Sequence, residues 1–212
     1  VLGTSHHATP LNVRERLALN TEQATNLRKQ LHKKDGVLEC LVLNTCNRLE
    51  VYGLAKSLDY VSNIRNYVCH FLGVEESLFQ KYAYALSSLD ALQHLFEVTS
   101  GLDSQMVGET EIFGQVKQSY NAAQKDDCTG RALNRLFEKS FQAAKSVRSK
   151  TYIGRGHVSI GNITVKLARR IFERLELSQV LLVGSGEVGE KTANALISHG
   201  VSNISISSRN LG

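Results

Sequence analysis

Gly184, Gly186 and Gly189 follow the apolar run Val180-Leu181-Leu182-Val183 directly and precede a segment, Lys191 to His199, whose pattern is helical. A G-x-G-x-x-G string in that context predicts a strand, a tight turn and a helix, the opening of a dinucleotide-binding fold. Gly184 permits the turn, Gly186 lets backbone approach a pyrophosphate, and Gly189 lets the helix pack close. With Ser185, Glu187 and Val188 between them, these residues put a helix amino terminus against negative charge. The bland alternative is a glycine-rich turn with no ligand. A second strand, Ile204-Ser205-Ile206, runs into Ser207-Ser208-Arg209. An NAD site wants an acidic residue there for the ribose hydroxyls, whereas Ser208 and Arg209 suit a 2'-phosphate, so the pattern predicts NADPH.

Upstream the hydrophobic period changes twice. Residues 1–86 read as β-α-β-β-α-β: strands at Val1–Ser5, Val37–Leu43, Leu49–Leu54 and Tyr82–Leu86, helices at Thr21–His32 and Asp59–Leu72. That order is the split β-α-β of ferredoxin-like domains. Val13 to Leu19 offers a short extra helix after Pro10. From Ser87 onward the period is helical, with three stripes: Leu89/Leu92/Leu95/Phe96/Thr99, Leu133/Leu136/Phe137/Phe141/Ala144/Val147, and Ile160/Ile163/Leu167/Ile171/Leu175. The expected fold class is therefore α/β. A ferredoxin-like core (1–86) with helices 87–150 forms one domain, 151–176 a connecting helix, and 177–212 the start of a Rossmann domain.

Cys46 lies in the polar turn Asn44-Thr45-Cys46-Asn47-Arg48 between two of those strands. A reactive cysteine is accessible and near positive charge, which Arg48 is placed to supply, whereas a packing cysteine is buried. Cys40, Cys69 and Cys128 fall in no C-x-x-C or Cys/His pattern, so neither a metal site nor a disulfide framework is expected. His94 falls opposite the Leu89/Leu92/Phe96 stripe and reads as exposed. Residues 113–174 hold 13 Lys and Arg against 4 Asp and Glu, within a chain whose net charge is +5. Such a block is either a solvated helical face or the footprint of a polyanion, with Arg131, Arg135, Lys139, Lys145, Arg148 and Lys150 the candidate phosphate contacts. No apolar run reaches the roughly 20 residues of a membrane helix. The amino terminus lacks a signal pattern, so a cytoplasmic protein is expected.

Thr45-Cys46-Asn47-Arg48, the loop Ser100-Gly101-Leu102-Asp103-Ser104-Gln105-Met106-Val107-Gly108-Glu109 with Ile112 to Lys117, and the Gly184 fingerprint occur in one order and spacing. Together they resemble the glutamyl-tRNA reductases over essentially the whole chain. The resemblance implies NADPH-dependent reduction of glutamyl-tRNA(Glu) to glutamate-1-semialdehyde, the first step of five-carbon tetrapyrrole synthesis. It makes Cys46 the nucleophile that holds glutamate as a thioester and His94 a residue important for activity. It makes Thr45, Asn47, Arg48, Ser104, Glu109, Thr110, Glu111 and Gln115 the substrate contacts, Arg48 for a carboxylate and Glu109 for the ammonium. It further implies a homodimer, glutamate-1-semialdehyde aminomutase as partner, and plastid stroma as the compartment if the source is a plant. In that family the cofactor domain continues into a long helix and a dimerisation domain. Residue 212 falls inside the cofactor fold, so the expectation is a fragment or truncated form that could deacylate glutamyl-tRNA without reducing it. A stand-alone NADP-dependent dehydrogenase would leave the Cys46 turn and the basic middle segment unexplained.

Overall fold

The computed structural model describes residues 1–153 and 160–208. It divides into two compact units, Val1–Ile153 and Gly154–Gly212. The first unit is built on a four-stranded sheet of β1 (Leu2–Ser5), β2 (Val37–Asn44), β3 (Arg48–Ala55) and β4 (Ala83–Ala85). Strand order is β2-β3-β1-β4 with every pairing antiparallel, the ferredoxin-like arrangement that the element order predicts.

Two crossover helices connect the strands. α2 (Thr21–His32) starts at a reciprocal cap: Gln23 N–H donates to Asn20 Oδ1 at 2.8 Å, and Asn20 N–H donates to Gln23 Oε1 at 2.9 Å. It buries Leu27 and Leu31. α3 (Tyr60–Leu72) stops at Gly73, whose φ of 64° closes the helix in the left-handed region. α1 (Leu11–Leu17) precedes them, starting two residues before the expected Val13 and anchored by buried Val13 and Leu17. One element was invisible in the sequence pattern. α4 (Glu76–Tyr82) occupies the approach to β4 and leaves that strand three residues long, because its seven residues bury Phe79 alone and so show no stripe.

The helices after the sheet are α5 (Ser88–Ser100), α6 (Glu111–Lys125) and α7 (Arg131–Lys150). α7 packs by the predicted stripe: Leu133, Phe137 and Ala144 are buried, and Phe137 meets Tyr52 of β3 edge to face at 5.6 Å between ring centroids. α5 does not pack as its stripe suggests. Leu89 is 77% exposed and Leu92 37%, while Leu95, Val98, Thr99 and Ser100 are buried. The inward face is thus rotated so that His94, expected to face water, points into the unit.

In the second unit β5 (Gln179–Val183) pairs in parallel with β6 (Asn203–Ser207), joined by α9 (Glu187–Ser198). This is the predicted β-α-β. α8 (Ile160–Ile171), expected as a separate connection, packs on α9 within the same unit. The contact is made by small residues: a Cβ on Gly161 would lie 2.7 Å from Lys191 O and 2.8 Å from Ala195 Cβ. Val165, Leu175, Leu196 and Val201 form the core. Here too the stripe is corrected, since Ile160, Ile163, Leu167 and Ile171 are exposed and only Leu175 of that set is buried.

Candidate functional site

The hairpin between β2 and β3 carries the predicted nucleophile at its tip. Thr45 N–H donates to Arg48 O at 2.8 Å and closes the turn, while Thr45 Oγ1 accepts the N–H groups of Asn47 and Arg48, each at 3.2 Å. A threonine there satisfies two donors that the turn would otherwise leave open. Cys46 is exposed, whereas Cys40, Cys69 and Cys128 are buried. Burial pushes the Cys40 thiol up to about 12, with Cys128 adding to the effect, and burial raises Cys69 and Cys128 as well. Of the four thiols, only Cys46 is open to a substrate.

Three other segments converge on the tip. His6, one residue past β1, donates its backbone N–H to Asn47 O at 2.9 Å. Arg14 of α1 donates to Cys46 O at 3.2 Å and to Asn47 Oδ1 at 2.8 Å. Arg48 reaches the loop 101–110: its Nη2 donates to Asp103 O at 2.7 Å and to Asp103 Oδ2 at 2.9 Å. His7 meets the same carboxylate, with Nε2 3.0 Å from Asp103 Oδ1. Burial lowers the His6 imidazole, with His7, Arg48 and Arg14 acting in the same direction and Asp103 against them. His6, His7 and Arg14 belong to no motif of the sequence, and Asp103 stands inside the 100–109 loop without being singled out there; pairing of β1 with β3 brings His6 and His7 to the turn, α1 brings Arg14, and Arg48 and His7 hold Asp103.

Arg48 is not poised as an open carboxylate receptor. Its side chain is 1% exposed, and Nη1 donates to Glu50 Oε1 at 2.8 Å. Glu50, with none of its surface exposed, is the centre of a buried network. Its Oε2 accepts Tyr52 O–H at 2.6 Å, its Oε1 accepts Tyr84 O–H, and His94 Nε2 lies 2.9 Å from the same Oε1. Burial alone would push this carboxyl up, but the hydrogen bond from His94 and the charges of Arg48 and His94 outweigh it and bring it down to about 2. An ionised carboxylate only accepts, so His94 Nε2 carries the proton. Room for the cluster comes from Gly3, which pairs with Glu50 on one side and Tyr84 on the other; a Cβ there would lie 2.7 Å from Glu50 Cγ.

The remaining predicted contacts are grouped around the start of α6. Glu109 Oε2 accepts Glu111 N–H at 2.7 Å, and Oε1 accepts Ile112 N–H at 3.0 Å and Ser104 O–H at 3.1 Å. Glu109 therefore caps a helix, the reading in which the loop serves local structure. Thr110 and Glu111 are exposed beside it, and Gln115 lies one turn further along α6. Arg148, expected at a phosphate, instead donates to Gly108 O at 3.3 Å, to Ser100 O at 3.5 Å and to Glu109 O, tying the loop to α7. Arg131, Arg135, Lys139, Lys145 and Lys150 are exposed along that helix. A cavity of about 590 Å³ on the α2/α3 side of the sheet, lined by Leu31, Val51, Leu58, Val61 and Ile64, contains none of the predicted site residues.

In the second unit Gly184 has a φ of 114°, which favours glycine, and its N–H donates to Ser207 O at 2.7 Å. A Cβ at Gly184 or Gly186 would meet nothing within 4 Å, whereas one on Gly189 would strike Gly184 O. The turn is open on one side and tight against α9 on the other, which fits a pyrophosphate at the helix amino terminus. Ser185 and Val188 are exposed in the turn and first helical residues. Ser208 follows β6, and Arg209 lies outside the described residues.

Residues 2–151 match the family model described as glutamyl-tRNA(Glu) reductase, N-terminal domain. The chain belongs to the glutamyl-tRNA reductase family. It is 42% identical to the glutamyl-tRNA reductase of Desulfotalea psychrophila across 100% of this chain and 49% of that protein. It is 38% identical to that of Desulforudis audaxviator, across 99% of this chain and 47% of the relative. It also resembles the solved glutamyl-tRNA reductase from Methanopyrus kandleri, with a TM-score of 0.68 and 30% identity, covering 99% of this chain and 49% of that one. The chain spans about half the length of these relatives. Residues 166–212 match the model for shikimate/quinate 5-dehydrogenase, a similarity that points to a nicotinamide cofactor for the second unit. Among the described residues no helix is long and apolar enough to cross a membrane.

Proposed function

We propose that this chain performs the acyl-transfer half of an NADPH-dependent reduction of glutamyl-tRNA(Glu) to glutamate-1-semialdehyde. The observation that carries the reading is Cys46, exposed at a turn held by three other segments of the chain. The Cys46 thiolate attacks the ester carbonyl that joins glutamate to the terminal ribose. The carbon–oxygen bond breaks, the ribose oxygen leaves and takes a proton from solvent, and glutamate remains as a thioester. A thioester accepts hydride more readily than an oxygen ester, so the cysteine divides one hard reduction into two easier steps.

Reduced nicotinamide, when bound, supplies the hydride that yields the aldehyde. Gly184, Gly186 and Gly189 would hold the pyrophosphate, with Ser185, Glu187 and Val188 between them, and Ser208 and Arg209 would select the 2'-phosphate of NADPH. On the donor side, Thr45, Asn47, Ser104, Thr110, Glu111 and Gln115 surround the glutamyl group, and the exposed basic residues of α7 meet tRNA phosphates. Arg48, Glu109 and His94 act behind them, through the bonds described above. The same reading makes the assembly a cytoplasmic homodimer and makes the consumer of the reactive product an aminomutase.

The test is incubation of the purified chain with charged tRNA(Glu), followed by mass spectrometry of the Cys46 peptide and by release of glutamate. A glutamyl adduct on Cys46, absent from Cys46→Ser, is expected. Deacylation no faster than the Cys46→Ser control would overturn the proposal.

A further inference from the structure

Cys40 and Cys128 belong neither to the hairpin site nor to the second unit, yet the fold brings them together. Cys40 N–H donates to Cys128 O at 2.8 Å. Residues joined by such a bond have Cα atoms about 5 Å apart, inside the span of roughly 4.4–6.8 Å that disulfides occupy. The two thiols are in hydrogen-bond contact with each other. Each also lies 3.3 Å from a carbonyl oxygen, Cys40 Sγ from Arg28 O and Cys128 Sγ from Asp126 O. Both residues are buried.

The junction around them is pinned. Glu39, the neighbour of Cys40 in β2, accepts Ala132 N–H at 3.1 Å and Leu133 N–H at 2.8 Å, two of the donors that the start of α7 leaves open. Gly130 comes so close that a Cβ there would lie 2.8 Å from Glu39 Oε1. The stretch from Cys128 to Leu133 is thus tied to β2 at both ends, which keeps the thiols side by side while α7 stays docked. Asp127, just before Cys128, has a φ of 54°, a left-handed conformation that residues other than glycine seldom adopt. Cys69, on α3, interacts instead with Glu76 and Arg65.

We propose that Cys40 and Cys128 are a preformed disulfide site, a redox modification that cross-links the strand leading to the Cys46 turn to the approach to α7. The oxidant is a low-molecular-weight disulfide such as oxidised glutathione. Cys128, whose sulfur is hydrogen-bonded by Arg28, loses its proton to solvent and attacks one sulfur of the oxidant, whose S–S bond breaks to release one thiolate. Cys40 then loses its proton and attacks the Cys128 sulfur, displacing the second thiolate. The two cysteines give up two electrons and two protons, and the oxidant ends as two thiols. Burial raises both cysteine thiols while Arg28 draws them the other way, so the exchange proceeds through brief openings of the 126–130 loop.

The experiment first removes the exposed thiol, by iodoacetamide in the wild type and by Cys46→Ser in a second form. Each is then equilibrated with oxidised and reduced glutathione, starting both from native protein and by dilution out of urea, so that slow access to a buried thiol does not mask the equilibrium. Peptide mass spectrometry should find the loss of two hydrogens and a Cys40–Cys128 cross-link exceeding all pairings with Cys69 by about tenfold or more, because the fold holds those two thiols at high effective concentration. In concentrated urea the order should reverse, with Cys40–Cys69 leading Cys40–Cys128 by about fivefold, since the shorter loop costs less entropy to close. The cross-linked chain should keep its native circular dichroism and raise its urea midpoint by about 1–2 M. Glutathione adducts that persist without closing, a native chain that pairs through Cys69 or stays reduced from both directions, or a lowered midpoint overturns the proposal. None of these readouts depends on acyl transfer at Cys46.

Discussion

Replacing Glu50 by Gln should destabilise the protein by about 3 kcal/mol at neutral pH, and the cost should disappear in acid. In the native state this carboxyl sits at about 2 against an ordinary value of 4.5. A difference of that size corresponds to about 3 kcal/mol of differential stabilisation of the ionised form, at 1.36 kcal/mol per unit. Removing one partner of a buried ion pair generally costs about 3–5 kcal/mol, which agrees. The sign follows from linkage. A carboxyl whose native value lies below its unfolded value contributes its full stabilisation above the unfolded value and loses it as the pH falls toward the native one. The gap between wild type and Glu50→Gln should therefore be widest above about pH 5 and narrow steadily toward about pH 2. Urea titrations at pH 7, 5, 4 and 3, followed by far-UV circular dichroism, measure it. A cost under about 1 kcal/mol at pH 7, the scale of an exposed pair, or a gap that does not change with pH, would refute the reasoning.

Gly3→Ala should cost about 2 kcal/mol by overpacking, since the added carbon would sit 2.6 Å from Leu49 O and 2.7 Å from Glu50 Cγ; a melting curve within experimental error of the wild type's would contradict this. Among the α7 cations, neutralising Arg131, Arg135 and Lys139 together should flatten the salt dependence of tRNA binding by about 0.7 to 0.9 log units per lost phosphate contact. Arg148→Met should instead lower stability, by about 1–3 kcal/mol for the carbonyls it leaves without a donor, with little change in that slope. With iodoacetamide near neutral pH, Cys46 should be modified first and Cys40 last, because burial holds the Cys40 thiol up at about 12; rapid labelling of Cys40 in folded protein would count against the structure of β2.

The order of strands and helices was readable because alternation and helical period survive in short segments, and the glycine fingerprint stood where a strand and a helix flank it. What the pattern could not tell is which side of an apolar helix is covered. Leu89 and Leu92 look like core and are exposed, whereas His94 looks like surface and is held by Glu50, 44 positions away in sequence. The same limit applies to α8, where Gly161 and Val165 make the contact that Ile163 and Leu167 were expected to make. Charge showed the complementary limit. Arg48 advertises a positive site in the sequence, but its guanidinium is engaged by Asp103 and Glu50, and Arg14 of α1 meets the same turn.

The convergence of residues 6, 14, 48 and 103 on one hairpin tip has a consequence for how the thiol comes into being along the folding path. Those positions are joined only by contacts of long sequence separation, which form late because their loops must close first. A nascent or partly unfolded chain displays Cys46 without the oriented turn or the Arg14 contact. Chemical competence is therefore acquired at the end of folding and given up at the first local opening of the 101–110 loop. Loss of glutamyl-adduct formation at Cys46 should register that opening in mild denaturant while the helical signal is still native, which makes the nucleophile a built-in gauge of the integrity of its own domain.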